Sequence, residues 1–511
     1  MIAGLALASL FPLYVAAQHT LFLNDDSYIT LTYAKNLVAG NGFVFNHPPH
    51  TLGTTSPLFT LAVAALGIVF SHQAISTIAV YLTALCWLGI VWVFFGYRSA
   101  WALSDWQAGL IGLVVIGSGW ISFLGMEAYI FTFLLVLSIS LFLHGDRLAA
   151  GFTLGLLFLT RGEGILVFCL ILMLAAIQGW TANRESGLSW IRPALVLGVG
   201  FAVPVMIWAV YAQNTFGSIL PNTLAAKQAQ GQNGMGHPFL ARLVQEWLPT
   251  WGTRFRLPSL PLINAWWLLI VAGVISAGLR RRAWLIFLGW VLLYVLGYAI
   301  LGVSAYWWYQ LPILFVLNLF FALGVIACVE LIVRLVRRPP LATALSALLV
   351  GAVLLNLGLP TVRNALTYEG DPRGKSYIEL SQWIREHTAR TDSVAFIEIG
   401  YLGYFTDNRI IDLAGLTLPN IVPHIAQGDF AWGFWHYAPD YYVHSVDFDW
   451  ALADIRNDPR FAESYQPVAT LHGPTEHEFV VYKRVGQSAA DAAAQRRCLP
   501  STTMRSALCR L

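Results

Sequence analysis

IAGLALASLFPLYVAAQHTLFLNDD, residues Ile2–Asp26, decides the fold. The run Ile2–Leu23 is apolar and long enough to cross a bilayer, which takes roughly 20 helical residues. It then stops on two adjacent carboxylates, Asp25 and Asp26. Ala16 and Ala17 resemble the small residues of a leader cleavage site, but no basic segment precedes the apolar core, so the run reads as a retained first span. The rest of the chain agrees. Its 511 residues are 57% hydrophobic and 11% charged, with a mean hydropathy of +0.63. Soluble domains carry about 25% charged residues, so a soluble multidomain enzyme and a disordered chain are both excluded. The net charge of +3 is too slight to imply nucleic acid as a partner.

Further apolar runs cover Ala74–Tyr97, Trp106–Leu124, Glu127–Leu143, Leu148–Thr160, Gly164–Trp180, Ile191–Gln213, Leu262–Leu279, Ala283–Leu301, Trp307–Val333 and Leu341–Leu359. They predict an α-helical polytopic membrane protein with about 11 transmembrane helices at ~20 residues per crossing. Pro57–Phe70 is a short further candidate, and charge decides against it. If it lies in the interface, Arg98, Arg147, Arg184, Arg192, Arg280–Arg282, Arg334, Arg337 and Arg338 all fall on one side. The short loops of the other side then hold only Lys35 and Arg161. Basic residues stay cytoplasmic, which puts the N-terminus inside and loops 24–56 and 214–261 outside the cell membrane. The chain divides into a membrane module over 1–359 and an extracytoplasmic α/β domain over 360–485. Residues 486–511 form a poorly ordered tail. In the α/β domain Ser376–Thr388 reads as an amphipathic helix, and Val394–Ile399, Ile410–Leu413, Tyr441–Val446 and Phe479–Tyr482 read as strands.

No phosphate-binding glycine loop, zinc-protease helix, nucleophile elbow or dinucleotide fingerprint is present. The five cysteines form no C-x-x-C pair, so the sequence supports no metal and no cofactor, a divalent ion included. Cys86, Cys169 and Cys328 read as small buried hydrophobes, and Cys498 and Cys509 as a possible short disulfide loop. What stands out is a set of polar residues at the outer ends of the spans. Asp25 and Asp26 follow a helix whose C-terminal dipole disfavours them. One of them can cap the next helix, Tyr28–Val38; the other is then unexplained. Two carboxylates together beside lipid raise one another's proton affinity, which suits a general base. Glu127 reads as dipole matching at a helix start or as a substrate contact. Arg161 and Glu163 pair with each other or serve a ligand, and Lys227 is a loop lysine or a phosphate ligand. Arg161 and Lys227 are the outer cations beside spans and suit a lipid phosphate. Tyr306, Trp307, Trp308 and Tyr309 form an aromatic belt, or else stack on a sugar or line a prenyl groove. His47 and His50 are loop residues.

DDSYITLTYAKNLVAGNGFVFN followed by TTSPLF resembles the first outer loop of GT-C glycosyltransferases, in particular bacterial enzymes similar to the mycobacterial terminal arabinofuranosyltransferase. LGMEAYIF, LTRGEG, FGSILPNTLAAK, YWWYQLP, IEIGYLGYFTDNRIIDLAGL and PDYYV follow in the family's order, so the resemblance runs from about Asn24 to about Val443. It implies a GT-C bundle that moves a sugar from a polyprenyl-phosphate donor to a cell-envelope glycan or lipid acceptor; attack opposite the phosphate would then invert the anomeric carbon. It makes the loop aspartates catalytic, with Asp25 the expected base, and gives Arg161 and Lys227 the donor phosphate. Glu127, Glu163, Asn222, Tyr306, Trp308 and Tyr309 become substrate contacts. This chain has Thr32, Gly162 and Leu52–Gly53 where the family usually carries arginine, proline and a glutamate–glycine pair, which leaves the sugar unassigned. The rival readings are a protein or lipid-A glycosyltransferase of the same architecture, a lipid or ion transporter using the outer carboxylates, and an inactive scaffold.

Overall fold

The computed structural model describes residues 2–18, 22–46, 50–182, 191–233, 237–252, 256–257, 260–472 and 478–485. His47, Cys498, Cys509 and the tail 486–511 lie outside them. Every apolar run read from the sequence contains an apolar helix. Six of these helices are at least 18 residues long, and the rest are shorter: Gly4–Gln18, Asp105–Gly117, Ala128–His144, Arg147–Thr160 and Ala265–Arg280. The first helix is broken into Ile2–Ser9 and Phe11–Gln18. Pro12 has no N–H to give its ladder, so the turn at Leu10 is where the helix yields. Cys169 is exposed rather than buried.

The bundle sorts its polar residues to two ends. At one end Arg281 donates to Glu330 at 2.7 Å and to the carbonyl of Ala102 at 3.4 Å, and the rings of Tyr97 and His144 meet at 5.5 Å. At the other end Arg161 pairs with Glu127 at 2.9 Å. Helices Ala128–His144 and Arg147–Thr160 therefore run between the two ends. Pro57–Val69 does not. It starts beside Thr54 at the Glu127 end, and its Gly67 lies against Ile75, which opens the long helix leading back to Tyr97. Its 13 residues also span only about 20 Å against a hydrocarbon core of ~30 Å.

Helix Arg147–Thr160, which delivers Arg161, packs closely on Arg192–Phe216. A Cβ on Gly151 would meet the Leu197 carbonyl oxygen at 2.1 Å, and one on Gly200 the Leu148 oxygen at 2.4 Å. Small residues at the crossing let the backbones touch, as membrane helices require when hydrophobicity gives no preference for helix over lipid.

The last apolar helix continues from Pro339 through Pro360 to Thr367, so the expected boundary at 359/360 falls inside a helix. Beyond it lies a five-stranded sheet in the order Arg409–Asp412, Ser393–Phe396, Tyr441–His444, Glu478–Arg484, Tyr465–His472. The first three strands are parallel, with Val394 opposite both Ile410 and Tyr441; the last two run antiparallel. Helix Gly374–His387 covers it with a buried face of Tyr377, Leu380 and Ile384. The strand Tyr465–His472 went unread because its burial alternates weakly, with mostly exposed residues along a sheet edge.

Candidate active site

The helix carrying the aspartate pair is Asp25–Val38, capped by Asn24, whose Oδ1 accepts the Asp26 N–H at 3.1 Å. Neither aspartate is the cap. Both lie in the first turn, where the helix dipole favours negative charge. Adjacent residues on a helix point about 100° apart, so the two carboxylates have different fates. Asp25 is buried and turned toward the C-terminal domain: Oδ2 accepts the Gly400 N–H at 3.0 Å and Oδ1 the Tyr401 N–H at 2.9 Å. Asp26 faces a small cavity of about 40 Å³ with Thr30, Thr54, Thr55, Glu127, Thr223, Lys227 and Trp308.

That cavity shares Thr54, Thr55, Glu127, Lys227 and Trp308 with a larger one of about 410 Å³. The larger cavity is walled by Phe158, Ile165, Leu166, Trp208, Ile219, Leu220, Leu224 and Leu301, with charged groups only at Glu127, Arg161, Glu163 and Lys227. An apolar groove thus ends in a polar chamber, and Asp26 stands at the chamber's wall.

The two cations differ sharply. Arg161 is buried between two carboxylates: Nη1 donates to Glu127 at 2.9 Å, and Nη2 and Nε to Glu163 at 2.9 and 3.3 Å. Tyr298 accepts from Nη2 at 3.3 Å and donates to Glu163. Burial alone would lower the Arg161 pKa, but Glu163, Tyr298 and Glu127 outweigh it and hold the guanidinium charged; the same pairing overcomes burial at Glu163 and keeps it ionised. Lys227 has no carboxylate paired with it among the described residues. Its Nζ instead sits 4.5 Å from the Tyr306 ring centroid, 5.1 Å from Trp308 and 5.9 Å from Tyr309. Tyr306 and Trp308 stack at 4.7 Å, and the Tyr306 hydroxyl donates to Gln230 Oε1 at 2.8 Å. Three of the four aromatic residues, Tyr306, Trp308 and Tyr309, therefore form a cradle for a cation, while Trp307 packs against Phe123 instead. Tyr306 supports this cradle, while Trp308 and Tyr309 also line the groove.

Asn222 is elsewhere. Its amide donates to the carbonyls of Gly415 and Leu416 at 2.7 and 2.9 Å, which ties helix Asn222–Gln232 to the C-terminal domain. His50 does not line either cavity.

Two features went unread in the sequence. Thr223, within the PNT block, is buried with a hydroxyl that has no partner among the described residues, and it lines the Asp26 chamber. A buried polar atom without a partner costs about 1–3 kcal/mol, and this hydroxyl is free to bond a group in the chamber. Second, Arg373 and Glu398 of the C-terminal domain pair at 2.7 Å, with Asp371 on the far side of the guanidinium. Glu398 is raised to about 8 by burial and by Asp25, and Asp25 is raised to about 7 by burial and Asp26. Asp26 is raised by burial, with Lys227 opposing. Three carboxylates so placed do not all ionise independently. Among the described residues no group of three or more His, Cys, Asp or Glu is arranged to hold a metal ion.

The chain has the GT-C-like fold that the sequence resemblance implied. The likeness that carries this is to the crystal structure of ArnT from Cupriavidus metallidurans in the apo state, with a TM-score of 0.58 over 94% of this chain and 97% of that one, at 14% identity. Residues 364–487 match a family described as a domain of unknown function, DUF8728. No curated protein sequence matches the chain.

Proposed function

We propose that the protein is a glycosyltransferase that takes a sugar from a polyprenyl-phosphate donor and passes it to a hydroxyl of a cell-envelope glycan or lipid. The site would sit on the outer face of the cell membrane, the assignment favoured by the arginine-rich loops at the far end of the bundle. One observation carries this reading: an apolar groove opens into a chamber where Lys227, with no ion pair to a carboxylate among the described residues, stands within electrostatic reach of Asp26. An isoprenoid chain suits the groove, a phosphate suits Lys227, and an acceptor hydroxyl suits Asp26.

In the transfer, the acceptor oxygen bonds to the anomeric carbon as the bond from that carbon to the phosphate oxygen breaks. The acceptor proton passes to Asp26. Polyprenyl phosphate leaves with one more negative charge, beside Lys227, so no strong acid is needed on that side. Attack opposite the leaving group inverts the anomeric carbon. Asp26 is favoured over Asp25 as base because both oxygens of Asp25 are occupied by backbone N–H groups. Arg161 orders Glu127 and Glu163, its fork taken up by these two carboxylates and by Tyr298, which leaves the donor phosphate to Lys227. A transporter would need ionisable groups near the midplane, whereas these cluster at one end.

Of the positions that depart from the resembled family, Leu52, Gly53 and Gly162 line the cavities, which supports a different sugar or acceptor. A lipid-A transferase is the second reading, favoured by the fold likeness to ArnT. The test is transfer by the purified protein in lipid, using labelled polyprenyl-phosphate pentoses and hexoses with envelope glycan or lipid A as acceptor. Product from any such donor, abolished in Asp26→Asn, supports the reading; no transfer from the whole donor set rejects it.

A further inference from the structure

The two helices that bring Asp26 and Lys227 together belong to different loops, and one continuous strip of the C-terminal domain grips both. On the Asp25–Val38 side, Gly400 and Tyr401 hold Asp25, the Tyr401 hydroxyl donates to the Leu23 carbonyl at 2.6 Å, and Lys35 donates to the Tyr404 carbonyl at 2.7 Å. Asn46, at the end of the same loop, exchanges two bonds with Ile410 at 2.7 and 3.1 Å. On the Asn222–Gln232 side, Asn222 reaches Gly415 and Leu416, Gln230 reaches the Ala414 carbonyl at 2.8 Å, and Asn233 reaches that of Ile425 at 2.5 Å.

Between these two handholds lies Asp412, fully buried, whose carboxylate accepts from the Ala414 and Thr417 N–H groups at 2.9 and 2.7 Å and from the Thr417 hydroxyl at 3.0 Å. It turns the end of strand Arg409–Asp412 into the carbonyl row that the second helix grips. The first handhold depends on a glycine. A Cβ on Gly400 would meet the Asp25 carbonyl oxygen at 1.8 Å and its Cγ at 2.9 Å, both nearer than any side chain tolerates.

We infer that the strip Gly400–Ile425 is a brace that sets the separation of base and phosphate-binding lysine, with Gly400, Asp412, Asn222 and Gln230 as positioning residues. The C-terminal domain is then part of the catalytic machinery although it contributes no group to the bond being made. This places on one strip both the amides that fix Asp25, and through it the adjacent Asp26, and the carbonyls that fix the helix of Lys227. The kinetic side of the inference rests on the proposed transferase reading; the mechanical side does not.

Gly400→Ala and Asn222→Ala are made in the full-length protein in lipid nanodiscs and followed by hydrogen exchange and by transfer kinetics. In Gly400→Ala, amides 22–38 exchange faster while those of 310–335 keep wild-type protection. In Asn222→Ala the faster exchange is at 222–232. Both lose about 10–100-fold in kcat, since a misplacement of ~1 Å costs on the order of 10²-fold; the KM for the polyprenyl-phosphate sugar moves little in Gly400→Ala and rises in Asn222→Ala, which loosens the helix of Lys227. Wild-type exchange at both segments overturns the brace. So does full turnover in Asn222→Ala, the variant less able to disturb the fold. If the wild type transfers no sugar but the exchange responds as described, the transferase reading fails and the interdomain brace stands.

Discussion

Two corners of one groove carry a cation each, and they are built on opposite plans. At the Arg161 corner a buried guanidinium meets two carboxylates and a tyrosine hydroxyl, so its charge is already answered. At the Lys227 corner the ammonium lies over aromatic faces, and no carboxylate pairs with it among the described residues. A closed network of buried charges holds helix ends together and tolerates no loss. A cation left open to a chamber is available to an anion that arrives later. The same contrast separates Asp25, whose oxygens are both bonded, from Asp26, which faces the chamber.

The sharpest way to break this comparison is to exchange the fates of the two aspartates. Asp26→Asn keeps shape and removes the proton acceptor, so kcat should fall by about 10²–10⁴, or ~3–5 kcal/mol of barrier, with folding intact. Asp25→Asn puts an NH₂ or a neutral oxygen against two N–H groups and should lower stability along with kcat. If Asp25→Asn were inactive but as stable as wild type, and Asp26→Asn active, the assignment of roles would be reversed.

Next come the two cations. Arg161→Ala leaves Glu127 and Glu163 buried without their partner, a loss of ~3–5 kcal/mol in stability, visible as a large drop in thermal midpoint. Lys227→Ala should leave the midpoint near wild type and weaken the donor instead, by about 10–100-fold in KM, the loss of one charged hydrogen bond. Equal thermal losses in both variants would erase the distinction between the corners.

The sequence made the spans, the two-ended sorting of charge and the α/β character of the last domain legible, because each rests on long apolar runs or local alternation. The aspartate pair was legible as a pair. Which member faces the chamber was not, since that depends on the rotational phase of Asp25–Val38, fixed by Gly400 some 375 residues away. Arg161 was read with Glu163, two residues on, but its bond to Glu127 crosses 34 residues and leaves no local trace. Thr223 is one threonine among many until burial shows its hydroxyl without a partner among the described residues. Glu398 and Arg373 likewise become neighbours of the aspartates only through the docking of the domain.

That docking gives a smaller, signed effect. Glu398 and Asp25 are carboxylates raised above their ordinary range, to about 8 and about 7, by burial first and then by Asp25 at Glu398 and by Asp26 at Asp25. A raised carboxylate contributes stability that is complete below its unfolded pKa and is lost as pH rises through the folded one. The thermal midpoint should therefore fall between pH 5 and pH 8, and the fall should be shallower in Glu398→Gln. Activity runs the other way, because Asp26 must be ionised to accept a proton. Glu398→Gln removes a negative neighbour and leaves Arg373 less neutralised. Both changes ease ionisation of Asp26, so the acid limb of kcat/KM should move to lower pH. A limb that stays in place would detach Glu398 from the base.

The smallest expected effect tests what the lysine rests on. Tyr306 offers Lys227 two things, a ring face at 4.5 Å and, through its hydroxyl, a bond to Gln230 at 2.8 Å that steadies the helix. Tyr306→Phe keeps the face and drops the bond, a change of about 0.5–1.5 kcal/mol, so donor KM should rise less than about tenfold. Tyr306→Leu removes the face as well, and a cation over a desolvated ring is worth about 2 kcal/mol. The leucine variant should therefore weaken the donor clearly more than the phenylalanine variant. If the two lose equally, the hydroxyl and not the ring positions Lys227, and the contrast between a carboxylate-paired and an aromatic-cradled cation no longer describes this site.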